Sequence, residues 1–147
     1  MLVRPFDTKT DEDLLAEAEI ASFKSSHPGM TLPIDVDRAR LERIKNGACH
    51  AFTLMEESPI GCMALSITSF NNIPIGYIEN VYIKPEFRSS GGLDQLFDAA
   101  KIYSFGRGAR VIRLNVTTHN QRAFAAYKKR GFAISTIEME LPISPYD

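Results

Sequence analysis

The chain has 147 residues, 44% of them hydrophobic and 24% charged, with a formal net charge of −1. That length suffices for one domain burying roughly two thirds of its unfolded surface, without disulfide or metal staples. The near-zero charge gives no electrostatic case for nucleic acid, and no run of about 18 apolar residues argues for a membrane span. The opening residues Met1–Asp7 lack the apolar core of a signal peptide, so the expected compartment is the cytoplasm. Cys49 and Cys62 lie in apolar, strand-like runs and not at metal-ligand spacing, which reads as two small buried hydrophobes.

Residues 2–6 read as a short strand that Pro5 confines to an edge or an end. Thr10 can cap a helix with an acidic first turn (Asp11, Glu12, Asp13) and the stripe Leu14, Leu15, Ala18 and Phe23, stopping by Ser25–Gly29. The Pro- and Gly-bearing run 27–34 predicts a surface loop, where specificity is commonly held. A second helix is expected from about Asp35, carrying Val36, Leu41 and Ile44 and closing at Asn46-Gly47.

From Ala48 the period changes. Two apolar runs, 49–55 and 60–70, flank Glu56-Glu57-Ser58-Pro59 as in a hairpin, and Asn71–Pro74 turns into a third strand over 75–83. Strict alternation there puts Ile75, Tyr77, Val81 and Ile83 on one face and Ile78 and Tyr82 on the other. Glu79 is the one carboxylate within this apolar strand. Such a charge is costly unless paired or solvent-linked, so either a cleft position or a solvent-facing strand end would explain it.

Pro85 forces a turn after the strand, and Ser89-Ser90-Gly91-Gly92 supplies cap residues and unhindered backbone for a helix over 91–106, with Leu93, Leu96, Phe97 and Ala100 at helical spacing. The free N–H groups of such a helix start can seat an anion such as pyrophosphate. Residues 110–116 form a further strand, which the helical crossover makes parallel to 75–83. Asn120–Arg130 reads as a helix ended by Gly131. The run 132–141 then alternates, with Ala133, Ser135, Ile137, Met139 and Leu141 on one side and Thr136, Glu138 and Glu140 on the other, as in a strand with one wetter face. The fold class expected is α/β: a central mixed, mostly antiparallel sheet flanked by about four helices, with residues 1–147 as one domain.

Two stretches carry a resemblance. Ile83-Lys84-Pro85 followed by Arg88-Ser89-Ser90-Gly91-Gly92-Leu93, and then Asn120–Phe132 with its Asn-x-x-Ala-x-x-x-Tyr-x-x-x-Gly-Phe pattern, resemble the motifs of the GNAT superfamily of N-acetyltransferases. Leu93 departs from the Gly or Ala usual in that family. The resemblance covers most of the chain, with its specific motifs confined to 79–132. It implies a sheet with a V-shaped splay and acetyl-CoA as cosubstrate, held by the main chain of Val81, Tyr82 and Ile83 and by the turn Arg88, Ser89, Ser90, Gly91, Gly92 and Leu93. Arg88 could equally pair on the surface with Glu86 or Asp94.

By the same resemblance Tyr127 stands at the proton-donor position, Asn120 both caps its helix and reaches the cofactor, and Glu79 is the candidate base. A phenol with a pKa near 10 can return a proton to a thiolate while staying neutral itself. Tyr127 also fits a core aromatic on the stripe with Ala123 and Phe124. Tyr82 and His27 are weaker base candidates, and His119 reads as a loop residue. Direct acetyl transfer needs no metal. Small-molecule amines, amino sugars, antibiotics and protein amino groups all fit as acceptors, and the apolar 141–143 segment would suit a homodimer. The alternative is a non-catalytic member of the same fold that binds acyl-CoA or a protein partner, for which Leu93 and the two serines speak.

Overall fold

The computed structural model describes residues 1–31 and 38–146. Its elements run β1 (Leu2–Pro5), α1 (Glu12–Ser26), α2 (Arg38–Lys45), β2 (His50–Met55), β3 (Pro59–Phe70), β4 (Ile73–Ile83), a 3-10 turn (Pro85–Phe87), α3 (Gly92–Gly106), β5 (Ile112–Leu114) and α4 (Gln121–Lys129). The five strands form one sheet in chain order. β1 to β4 pair antiparallel, and β5 lies parallel to β4, as the α3 crossover requires. No helix among the described residues is long and apolar enough to cross a membrane.

The β3–β4 hairpin turns on two residues, Asn71 and Asn72, both with positive φ (52° and 65°), because the mirror-image turn matches the strand twist. β4 therefore starts earlier than expected, at Ile73, with Pro74 opposite Ser69. A bulge then interrupts it: Asn80 faces Ala64 and Ile78 faces Leu65, which leaves Glu79 without a partner. One extra residue inverts the alternation beyond it. The strict alternation expected over 75–83 is thus corrected. Ile78, Val81 and Ile83 all pack on the α3 side, whereas Tyr82 packs on the α1 side with Leu14, Ala18 and Cys62.

The main core fills the α3 side, where Leu54, Ile60, Met63 and Leu65 of the sheet meet Leu96, Phe97 and Ala100. α4 joins through aromatic rings, since Tyr127 and Phe132 lie 5.9 and 5.2 Å from Phe97. Cys49 and Cys62 are buried and free, and burial pushes their thiols up to about 11 and about 12, so neither is a thiolate at neutral pH.

Two further expectations change, and one falls partly on residues that are not described. The start of α2, with Asp35 and Val36, and the 32–34 part of the preceding loop lie outside the described residues; the described part begins at Arg38 and buries Leu41. β5 spans three residues instead of 110–116. The alternating run 132–141 forms no strand: it follows α4 without joining the sheet, because β5 holds no ladder bonds to it.

The helix start at α1 also differs from expectation. Asp11, not Thr10, occupies the cap position, and its side chain makes no cap bond. It turns inward instead, 1% exposed, and accepts from Arg4 Nη1 (2.6 Å), Arg4 Nη2 (2.8 Å), the Asp7 N–H (2.9 Å) and Thr53 Oγ1 (2.8 Å). β1, the loop, α1 and β2 all meet at this carboxylate. Burial pushes its pKa up, but the hydrogen bonds from Arg4, Asp7 and Thr53 outweigh that and hold it at about 2, against an ordinary 3.8.

A folded-state pKa below the unfolded one adds stability above the unfolded value, which is lost as pH falls through the folded value. Asp11→Asn is therefore expected to lower the unfolding free energy by roughly 2 kcal/mol at neutral pH, a gap that closes between about pH 4 and pH 2. Urea denaturation of both proteins across that range checks it. A gap independent of pH would show that the carboxylate charge is not what holds the cluster.

Candidate active site

β4 is paired with β5 only from Gly76 to Ile78. Past the bulge the two strands part. The backbone of residues 79–83 then faces a cleft of about 750 Å³ whose opposite wall is Leu114 to Thr117 and α4 along its length. Main-chain groups at such an opening can accept an extended ligand as a strand would.

Eleven of the twelve site residues expected from the sequence line this cleft: Glu79, Val81, Tyr82, Ile83, Arg88, Ser89, Gly91, Gly92, Leu93, Asn120 and Tyr127. Ser90 does not. Its hydroxyl donates to the Phe87 carbonyl and closes the turn before α3. Arg88 pairs with neither Glu86 nor Asp94, but donates from Nε to the Ile83 carbonyl at 3.0 Å, tying the turn to the end of β4. Asp94 is held by Arg130 at 2.6 Å, an exposed link between α3 and the end of α4.

The α3 N-terminus suits an anion on three counts. No side chain caps it, so its first-turn N–H groups have no capping acceptor. Gly91 takes φ +90°, with open space where a Cβ would stand. Gly92 allows the helix to approach the sheet, since a Cβ there would lie 2.4 Å from Leu54 Cδ2. Leu93 packs against the α3-side core as well as lining the cleft. By contrast α4 is capped, with Asn120 Oδ1 accepting from the Ala123 N–H at 3.1 Å.

Tyr127 packs edge-on to Phe97 and tilted against Phe132, and its burial raises the phenol pKa while nearby Arg130 lowers it, with a net upward shift. It is a neutral O–H donor at physiological pH. The Thr117 hydroxyl, also on the cleft wall, is buried with no hydrogen-bond partner among the described residues.

Glu79 reaches the other face of the sheet, where the bulge aims it at α2. Arg43 grips both carboxylate oxygens, with Nη2 to Oε2 at 2.8 Å, and Arg40 Nε stands 3.5 Å from Oε1. Arg40 also pairs with Glu19 of α1, which accepts from Asn80 Nδ2 at 3.3 Å. Burial pushes the Glu79 carboxyl up, but the Arg43 and Ser66 hydrogen bonds and the charges of Arg43 and Arg40 hold it below its ordinary value. Two guanidiniums thus answer two carboxylates beside the cleft. The sequence reading missed Arg40, Arg43, Glu19 and Asn80. The available signal was the dense charge of Arg38–Lys45 around the single buried Leu41, which calls for acidic partners on whatever that helix covers.

Of the weaker base candidates, Tyr82 lines the cleft, His27 stacks on Phe23 with ring centroids 4.7 Å apart, and His119 is exposed in the turn before Asn120. Among the described residues no cluster of three or more His, Cys, Asp or Glu could hold a metal ion.

The sequence pattern of the Acetyltransferase (GNAT) family matches residues 14–132. An uncharacterised N-acetyltransferase of Methanocaldococcus jannaschii is 31% identical over 77 residues, a stretch that covers 50% of this chain and 34% of that protein. The match thus spans about a third of that curated relative. A mutant of the BH1408 protein from Bacillus halodurans has the same fold, with a TM-score of 0.83 at 18% identity over 98% of this chain and 100% of the other. The aminoglycoside N-acetyltransferase AAC(6')-Iy, solved with the bisubstrate analogue CoA-S-monomethyl-acetylneamine, gives 0.75 at 20% identity over 97% of both chains.

Glu79→Gln leaves Arg40 and Arg43 facing a neutral amide. The expected loss is roughly 1–2 kcal/mol, because Arg43 is 42% exposed and water screens part of the pair. Since the Glu79 pKa is depressed, this contribution is present above the ordinary glutamate value and fades as pH falls through the lowered one. Denaturation at neutral and acid pH measures it, and unchanged stability at neutral pH would mean that the guanidiniums do not depend on this charge.

Proposed function

The chain belongs to the GNAT family of acetyltransferases, and from this premise we propose that it moves an acetyl group from acetyl-CoA to an amine by direct transfer in a ternary complex, with residues 1–147 acting as one transferase domain. The observation that carries the reading is the cleft between β4 and β5, with an unpaired backbone edge along one side, an uncapped helix start at one end and a protonated tyrosine on its wall.

The residues fit acetyl-CoA. The backbone of Val81, Tyr82 and Ile83 would hold its extended arm, and the N–H groups of the Arg88–Leu93 turn its pyrophosphate, with Asn120 at the far wall. When bound it supplies a thioester, an acyl group on a good leaving group. The acceptor nitrogen forms the new C–N bond as the C–S bond breaks, so one proton must leave the amine and one must reach the departing sulfur. Tyr127 gives its hydroxyl proton to the thiolate. Glu79, ionised throughout the neutral range, is the proposed acceptor of the amine proton, directly or through water, from within its pairing with Arg43 and Arg40. No metal has a role in this scheme.

Among acceptors we favour small-molecule amines over protein amino groups, a reading supported by the aminoglycoside enzyme that shares the fold. The proposed setting is the cytoplasm, with neither nucleic acid nor membrane as a partner. Leu93, which with the two serines spoke for the non-catalytic alternative, packs against the core while still lining the cleft.

Acetyl-CoA is expected to raise the Tm, and NAD or ATP to raise it less, because a ligand bound only to the native state stabilises it by mass action. No shift at millimolar acetyl-CoA would overturn both the transferase and the acyl-CoA-binding readings. Turnover is tested with acetyl-CoA and a broad panel of amines, following free thiol; tight binding with no turnover on any amine would favour the binder.

The Tyr127 hydroxyl matters mainly in the transition state, so Tyr127→Phe should lower kcat by roughly 10²-fold or more while acetyl-CoA affinity barely changes. The ring contacts with Phe97 and Phe132 survive the substitution, which keeps stability nearly constant. Steady-state kinetics on both proteins decide the matter: an unchanged kcat would assign the acid to water or another group.

A further inference from the structure

The Glu79 side chain is only 9% exposed, whereas that of Arg43, which holds both of its carboxylate oxygens, is 42% exposed. Arg43 is therefore the member of the pair that an incoming molecule meets first. A guanidinium presents five N–H groups in one rigid plane, and Glu79 takes one from each Nη of Arg43. Among the described residues the remaining N–H groups of Arg43 have no acceptor. Arg40, one turn earlier on α2, also has a donor unused: its Nε is buried without a hydrogen bond, 3.5 Å from Glu79 Oε1.

Charge and spacing then limit what fits beside this pair. Glu79 is the one carboxylate among the described residues that line the cleft, and it is already engaged. The α1 wall adds only Ala18, Ala21, Ser22, Ser25 and Ser26, which bring no charge. An acceptor with several ammonium groups finds no unpaired carboxylate there, while one with a single amine beside an anion finds a partner for each. Arg43 Nη2 and Glu79 Oε2 are 2.8 Å apart, so the two groups that match them must also stand side by side, a carbon or two apart. The flat fork of a guanidinium suits a carboxylate, which it can hold through two parallel bonds.

Resting on the acetyl-transfer reading, we infer that the acceptor is a short amino carboxylate, such as a free amino acid, whose carboxylate takes the outer N–H edge of Arg43 while its amine faces Glu79. Arg43 then bridges two carboxylates and delivers the amine beside the proposed proton acceptor. Specificity comes from both sides of the pair, since a polycation meets an uncompensated guanidinium at the same place.

Each proteinogenic amino acid, and β-alanine, is assayed with acetyl-CoA beside its own carboxamide, following free thiol. The carboxamide has the less basic amine, so intrinsic reactivity favours it. The native protein should nonetheless give at least one amino acid a kcat/KM about tenfold or more above its carboxamide. Arg43→Gln changes the surroundings of Glu79 for both members of a pair, so the ratio within the pair isolates the carboxylate contact. That ratio should fall to near one in Arg43→Gln and survive in part in Arg43→Lys, with the Tm shift given by acetyl-CoA unchanged in both. Carboxamides that turn over as well as every amino acid overturn the proposal, as does a preference that persists in Arg43→Gln. Turnover of an aminoglycoside but of no amino acid overturns it while leaving acetyl transfer intact. Turnover of no amine, with acetyl-CoA bound, overturns the transferase reading and this proposal with it.

Discussion

A single unopposed residue in β4 organises this molecule. The bulge at Glu79 places two consecutive polar side chains, Glu79 and Asn80, on the α1–α2 side of the sheet, while Ile78, Val81 and Ile83 all reach the α3-side core. A regular strand could not do both, because a period of two sends neighbours to opposite faces. The same irregularity sits where β4 parts from β5, immediately after the last paired residue, Ile78. The added local twist that bulges bring is a sufficient physical reason for parallel neighbours to separate there. One extra residue therefore supplies the ion network on one face, the continuous core on the other, and the opening between them.

Electrostatics does the holding that apolar contact leaves undone. Among the described residues α1 buries only four and α2 one, so neither shows a wide apolar stripe there. Asp11 ties the start of α1 to β1 and β2 through Arg4 and Thr53, while Glu19, Arg40, Glu79 and Arg43 tie α1, α2 and β4 together. In both clusters each buried carboxylate has a guanidinium partner, which is the condition under which buried charge is tolerable. The second cluster borders the cleft, so the charges that fix α2 also shape the potential within it.

The cleft combines groups of unlike character from distant parts of the chain. Backbone from β4, an uncapped α3 start, a neutral phenol from α4 and a paired carboxylate from the bulge lie around one volume. Such division of labour suits acyl transfer, which asks for an extended binding edge, an anion seat and two proton-handling groups at separate points. Among the described residues the outer side of β5 is an open edge.

Local chemistry alone determined a good deal. Hydrophobic periodicity located every strand of the sheet and the bodies of α1, α3 and α4, because burial repeats every two or 3.6 residues wherever an element has one apolar side. Pro85 and the Ser-Gly run marked the turn into α3, and the Asn120–Phe132 pattern marked the α4 motif. What periodicity cannot carry is an event that breaks it. The bulge at Glu79 left no compositional trace, and with it went the face assignment of Ile78, the partners of Glu79 and the roles of Arg40 and Arg43. Asp11 read as an ordinary first-turn acid because its partners, Arg4 and Thr53, are 7 and 42 residues away in sequence. The alternation of 132–141 was legible, but whether it pairs depends on which edge it can reach. That is a matter of tertiary arrangement: strand pairing is satisfied by main-chain groups brought close in space, and no local pattern says which they are.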